Sequence, residues 1–175
     1  MAALLRSVED VLFYDVSLLV MQEEKGECRV WCGFSPPIAE RSGVLTAVRG
    51  SGNWRTTARE ALSSATREQF GKDLDLAAIV SAADSRQKVD GKSVLVHRFF
   101  AWEDESPLGR EVDEDNPRRL CDLRPRTMDD IRSLLRRGLN VSPEISEVLG
   151  DLQWSLQRFP LEFRNRLAPQ PPPPP

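Results

Sequence analysis

Apolar and polar positions change rhythm several times along the chain, and each change predicts an element. Tyr14 to Met21 (YDVSLLVM) is apolar on both faces, the pattern of a strand covered from both sides. The polar run Gln22 to Glu27, with Gly26, predicts a turn, and Cys28 to Phe34 a second strand, so the two should pair as a hairpin. Ser35-Pro36-Pro37 ends that strand because proline has no N–H to give to a ladder. Gly43 to Val48 reads as a short third strand running into a glycine loop, Gly50-Ser51-Gly52-Asn53. Between Arg55 and Phe70 the period lengthens: Ala58, Ala61, Leu62, Ala65 and Phe70 fall near helical spacing, and Gly71 stands where a left-handed cap would stop a helix. A buried face made mostly of alanine predicts close packing against a sheet.

Strand rhythm returns at Leu76 to Ala82 and Ser93 to Trp102, joined by a polar turn holding Asp90-Gly91. Glu103 to Asp115 is acidic and contains proline and glycine, so an exposed loop is expected there. The last third is helical. Thr127 and Asp130 form a capping-box pattern for Met128 to Arg137, with Met128, Ile131, Leu134 and Leu135 expected inward and Gly138 as the stop. Ser142-Pro143 opens another helix, striped by Ile145, Val148, Leu149, Leu152 and Leu156 and ended by Pro160. The Pro169 to Pro175 run predicts a polyproline II tail. These elements give an α+β domain over 14–160, with an N-terminal segment over 1–13 and a proline-rich tail over 161–175.

Composition narrows this picture. A chain of 175 residues with 40% hydrophobic and 29% charged residues can bury a core without disulfides or a structural metal. No apolar run approaches the roughly 18 residues of a membrane span, so a water-soluble protein without a membrane partner is expected. Cys28, Cys32 and Cys121 are odd in number, which points to a reducing compartment and to thiols acting as small apolar side chains. A zinc site would need all three with His97, a set whose spacing has no zinc-binding pattern. Met1 to Val8 is too short for a presequence before Glu9 and Asp10, and no secretory core is present, so an intracellular location, mitochondrial or cytoplasmic, is expected.

Strands, a glycine loop, a helix ended by glycine, two more strands and a C-terminal helix follow the element order of Nudix hydrolases. Placing the last glycine of the Nudix signature on Gly71 puts its first on Gly50, and on this match the chain resembles that family. The other positions depart from it. The first Glu falls on Thr56, the Arg-Glu pair on Ser64 and Ala65, the aliphatic on Thr66, the Glu-Glu pair on Glu68 and Gln69, and the final aliphatic on Lys72. The resemblance implies a mixed β-sheet flanked by helices, with additional C-terminal helices. In the family, carboxylates at i, i+3 and i+4 of the helix hold divalent cations for diphosphate hydrolysis. Here that face would show Ala65, Glu68 and Gln69, so no metal site and no cofactor are expected, and no catalytic residue is assigned. An active pyrophosphohydrolase remains the alternative, with Glu68, Glu60 and Mg or Mn. Otherwise Glu68 is a solvated helix residue able to pair with Lys72 at i+4. His97 lies on an alternating strand with no nucleophile placed beside it by any motif.

Charge supplies the remaining candidate. The net value is only −3, yet seven acids and one arginine fill Glu103 to Asp115, while Arg118, Arg119, Arg124, Arg126, Arg132, Arg136 and Arg137 crowd the next stretch and no lysine follows Lys92. Arginine forks suit bidentate phosphate or carboxylate contacts. The arginines are therefore read as a binding surface for RNA or for protein subunits of a larger complex, against the alternative that they pair with the acidic loop. Catalytically silent Nudix-like proteins occur in RNA-protein assemblies, and the resemblance favours such a role.

Overall fold

A computed structural model of the chain describes residues 13–36, 43–82, 84–89, 91–105, 107–112 and 115–149. The expected stripe positions Leu152 and Leu156, the proline tail and the N-terminal segment up to residue 12 lie outside the described residues.

At the centre is β1 (Phe13–Glu24), and both of its edges are used. One edge is shared: Phe13 to Leu18 pair antiparallel with β4 (Val48–Asn53), and Met21 to Glu24 with β2 (Glu27–Phe34) through the expected hairpin. Along the other edge, Asp15 to Met21 pair in parallel with Val96 to Trp102 of β8 (Lys92–Trp102). The sheet extends beyond β8 through β6 (Val80–Ser81) and β7 (Ser85–Val89), and beyond β2 through β3 (Leu45–Thr46) and the edge strand β10 (Cys121–Thr127). A separate two-stranded ribbon joins β5 (Lys72–Leu74) to β9 (Leu108–Glu111).

Because side chains alternate along a strand, β1 feeds two cores. Tyr14, Val16, Leu18 and Val20 meet Ala61, Leu62, Ala65 and Phe70 of helix α1 (Ala58–Phe70). Leu19 and Met21, with Phe100 and Trp102 of β8, meet Ile131 of α2 (Met128–Arg136) and Ile145 of α3 (Pro143–Leu149) on the opposite face. The fold is a mixed eight-stranded sheet with helices on both sides.

The expected capping box at Thr127 forms, and a second one is found at Thr57. Thr57 caps α1 with Glu60 as its partner, Thr127 caps α2 with Asp130, and Gly71 ends α1 at φ 63. The structure corrects several boundaries. Gly50 to Asn53 is the end of β4 rather than a loop. The strand expected over Leu76 to Ala82 shrinks to Val80–Ser81, and the polar segment before Asp90-Gly91 is itself a strand, β7. The acidic segment is not wholly an exposed loop, since it contains β9 and buries Leu108 and Val112. Leu135, expected inward, is exposed. Cys32 is buried and Cys28 packs beside the same core, but Cys121 is exposed.

Candidate functional site

Gly50 lies where α1 crosses β4. A Cβ there would stand 2.6 Å from the Cβ of Ala65, so only glycine lets the helix approach this closely. One turn further along, the Gln69 side chain grips the backbone of Arg49. Its Oε1 accepts from the Arg49 N–H at 3.0 Å, and its Nε2 donates to the Arg49 carbonyl. Thus the end of α1 is tied to the strand by an amide matched to both backbone groups.

The Arg49 side chain reaches the other face of the sheet. Its Nη1 donates to Glu144 Oε1 at 3.0 Å and to Gln87 Oε1 at 2.9 Å, and its Nη2 to Asp15 Oδ2 at 3.1 Å. Ser51 adds a hydroxyl bond to Asp15. Glu144, at the start of α3, is only 1% exposed, and its second oxygen has no hydrogen-bond partner among the described residues. A buried carboxylate is tolerated only with a cation beside it, and Arg49 supplies that cation. One residue therefore links α1 by its backbone to β1, β7 and α3 by its guanidinium.

The acids of α1 are engaged elsewhere. Glu68 pairs with Arg118 at 3.2 Å and accepts from the Ser64 hydroxyl, whereas Lys72, its expected partner, lies over the Trp31 ring. Glu60 is bound to Thr57, whose N–H and hydroxyl hold its carboxyl below the usual carboxylate range. Ala65 is buried under Gly50. Among the described residues no three His, Cys, Asp or Glu side chains converge as a metal site would require. The donor set fails on its own chemistry, because the Nε2–H of Gln69 points at the Arg49 carbonyl and a donor cannot ligate a cation. Among the described residues of α1, Glu68 and Gln69 leave no set of free oxygens for a divalent cation.

His97 is edge-on to Tyr14 with centroids 5.0 Å apart, and its Nδ1 lies 3.1 Å from Asp84. It sits on the α1 face of the sheet, while Cys28 and Cys32 belong to the opposite core, so the four candidate zinc ligands do not meet.

The seven arginines, contiguous in sequence, are divided by the sheet. Arg118 and Arg119 lie at the C-terminal end of α1, one paired with Glu68 and the other packed over Gly71. Arg124 and Arg126 are on β10, and Arg126 is buried, bound to the Asp122 carbonyl and carboxylate and stacked 5.3 Å from Phe34. Arg132, Arg136 and Arg137 lie in or just after α2, on the far face. Arg132 pairs with Asp129 at 2.9 Å, and Arg136 and Arg137 are exposed with no ion pair to any described residue. Arg126 is thus largely withdrawn from the surface on which the arginines were expected to bind.

By sequence the chain matches no family model and no curated protein. By shape it is similar to a Nudix hydrolase from Nitrosomonas europaea, with a TM-score of 0.54 and 16% identity over 86% of this chain and 95% of that one. A Nudix hydrolase from M. smegmatis, RenU, gives 0.53 and 16% over 89% and 88%. The Nudix domain of Shewanella oneidensis NrtR, solved with ADP ribose, gives 0.57 and 7% over 83% and 88%. The chain has a Nudix-like fold. Within it, α1 lies between Gly50 and Gly71, the two glycines that carried the resemblance in sequence. Arg49 and Glu144 were missed because an arginine before a glycine, or an acid in a helix's first turn, has no distinctive spacing.

Proposed function

We propose that this Nudix-like domain is catalytically silent and serves as an interaction module in an RNA-protein assembly, docking protein subunits or RNA through the arginines of its C-terminal region. The observation that carries the first half is the Gln69 amide clasped to the Arg49 backbone where the signature places a carboxylate. The hydrolase alternative gains nothing from the geometry, since both of its acids already have partners: Glu68 with Arg118, and Glu60 with Thr57.

Docking falls mainly to α2 and its end. Arg136 and Arg137 project there with Leu135 exposed beside them, a combination of fork-shaped cations and apolar area that suits an interface rim. Arg118, Arg119 and Arg124 belong to other surfaces and take part only if the partner wraps the edge at β10. Among the described residues no helix is long and apolar enough to cross a membrane.

The test is sedimentation of the tagged protein from its own cells, with and without ribonuclease, comparing wild type with R132E/R136E/R137E. Co-migration with a large assembly that the triple variant loses supports the reading. Migration as a free body of about 20 kDa, together with Mg- or Mn-dependent phosphate release abolished by Glu68→Gln, overturns it in favour of the hydrolase.

A further inference from the structure

The turn between β4 and α1 carries a tryptophan that the fold leaves uncovered. Trp54 is 61% exposed, yet the backbone around it is held at several points. Thr56 N–H donates to the Asn53 carbonyl at 3.0 Å, Asn53 N–H to Thr56 Oγ1 at 3.2 Å, and Arg55 N–H to Asn53 Oδ1 at 2.9 Å. The hydroxyl of the buried Tyr14 donates to the Thr56 carbonyl, and its ring fills the space that a side chain at position 52 would need. A turn tied this way presents its indole with little conformational freedom left to lose on binding. Large exposed aromatics on a rigid support are characteristic of binding surfaces.

The surroundings indicate what would bind. The Arg55 guanidinium stacks 4.7 Å from the Trp54 ring centroid. Phe13, 71% exposed, lies opposite Asn53 in the β1–β4 ladder, which puts a second open aromatic at the same end of the sheet. Arg59, in the first turn of α1 where the helix dipole is positive, donates through Nη1 to the Leu76 carbonyl, which holds its guanidinium in place, and the acid of that turn, Glu60, is bound to Thr57. Asn53, Thr56 and Thr57, close to Trp54 in the chain, are exposed, so the indole stands beside polar groups rather than in an apolar groove that would receive a peptide side chain. Open aromatic faces interleaved with arginine are what an unpaired base and its phosphate require.

We infer that the Trp54 turn is a stacking platform for an unpaired nucleotide of single-stranded RNA. The base lies on Trp54, a neighbouring base is within reach of Phe13, and Arg55 and Arg59 serve the phosphates. This surface and its residues are separate from the α2 arginines; only the choice of RNA over DNA rests on the function proposed above.

The experiment measures fluorescence anisotropy of a labelled oligouridine of about 12 nucleotides with the full chain, at several salt concentrations, after circular dichroism has shown each variant folded. Trp54→Ala is expected to weaken binding about tenfold and Trp54→Phe by less, because phenylalanine keeps a stacking face. Arg55→Gln with Arg59→Gln is expected to flatten the salt dependence. Unchanged affinity in Trp54→Ala overturns the inference, whatever R132E/R136E/R137E does. Loss in the triple variant alone leaves the arginine reading standing without the platform, and loss in Trp54→Ala alone does the reverse. Equal binding of a DNA strand of the same sequence overturns the assignment to RNA. No binding by the wild-type chain, with Trp54 protected only in a complex with a protein partner, overturns the platform altogether.

Discussion

Gly50 is the residue on which the helix-to-sheet distance depends. Gly50→Ala drives a methyl to 2.6 Å from Ala65 Cβ, and a packed interior answers such crowding with a loss of about 1–3 kcal/mol. Ala65→Gly in the same chain should restore part of that loss beyond the helix-propensity cost of glycine, a coupling that a double-mutant cycle in urea would measure. Independent, additive effects would show that the two sites do not touch. The thiols give a second prediction at this scale. Burial pushes Cys28 up to about 11 and Cys32 up to about 12, from an ordinary value near 9. A thiol whose folded pKa is raised contributes stability that is fully present below the unfolded value and is lost as pH rises through the folded one. The urea midpoint should therefore fall between about pH 9 and 12, and less steeply in Cys32→Ala measured against its own neutral-pH value. At pH 8 a thiol reagent should modify Cys121 fastest in the native protein, the half-buried Cys28 more slowly, and Cys32 only on unfolding.

Elements were legible where one pattern had one cause. The two-sided apolar run of β1, the hairpin at Gly26 and the capping box at Thr127 are local signals, and each formed, while the equally local box at Thr57 went unread. Thr57→Ala should cost about 1 kcal/mol, read as a lower melting temperature, because it removes the acceptor for the Glu60 N–H. The elements that escaped are those whose stability comes from a distant neighbour. β7 (SRQKV) and β10 (CDLRPRT) are mostly polar and became strands by pairing with β8 and β2. β10 carries Pro125, Arg124 and an irregularity between Cys121 and Arg124, features that suit an edge and disguise a strand in sequence. For the same reason the site was half legible. The scarcity of carboxylates along α1 could be read from the sequence, but the Arg49 connections join residues from four separate stretches and no spacing rule links them.

At the scale of the molecule, Arg49 joins the two helical layers through the sheet. Glu144→Ala leaves the guanidinium without its most buried acceptor, and because Arg49 is itself partly exposed the loss should be about 2–3 kcal/mol rather than that of a fully buried pair. Amide exchange should then accelerate in α3 and β7 ahead of β1 and β8. Uniform acceleration across the sheet would show that the loss is global and that the residue does not serve these two elements in particular.

The parallel contact between β1 and β8 has a consequence in time. Its partners, such as Asp15 and Val96, stand about eighty residues apart in the chain. At a synthesis rate of roughly 5–20 residues per second, β1 leaves the ribosome some 4–16 s before the strand that closes its second edge exists. During that interval Leu18 to Met21, all buried in the finished fold, can be paired along one edge only, by β2 at Met21 and β4 at Leu18. The nascent chain therefore passes through a window in which a holding chaperone, or slowed translation after β2, would decide between folding and aggregation.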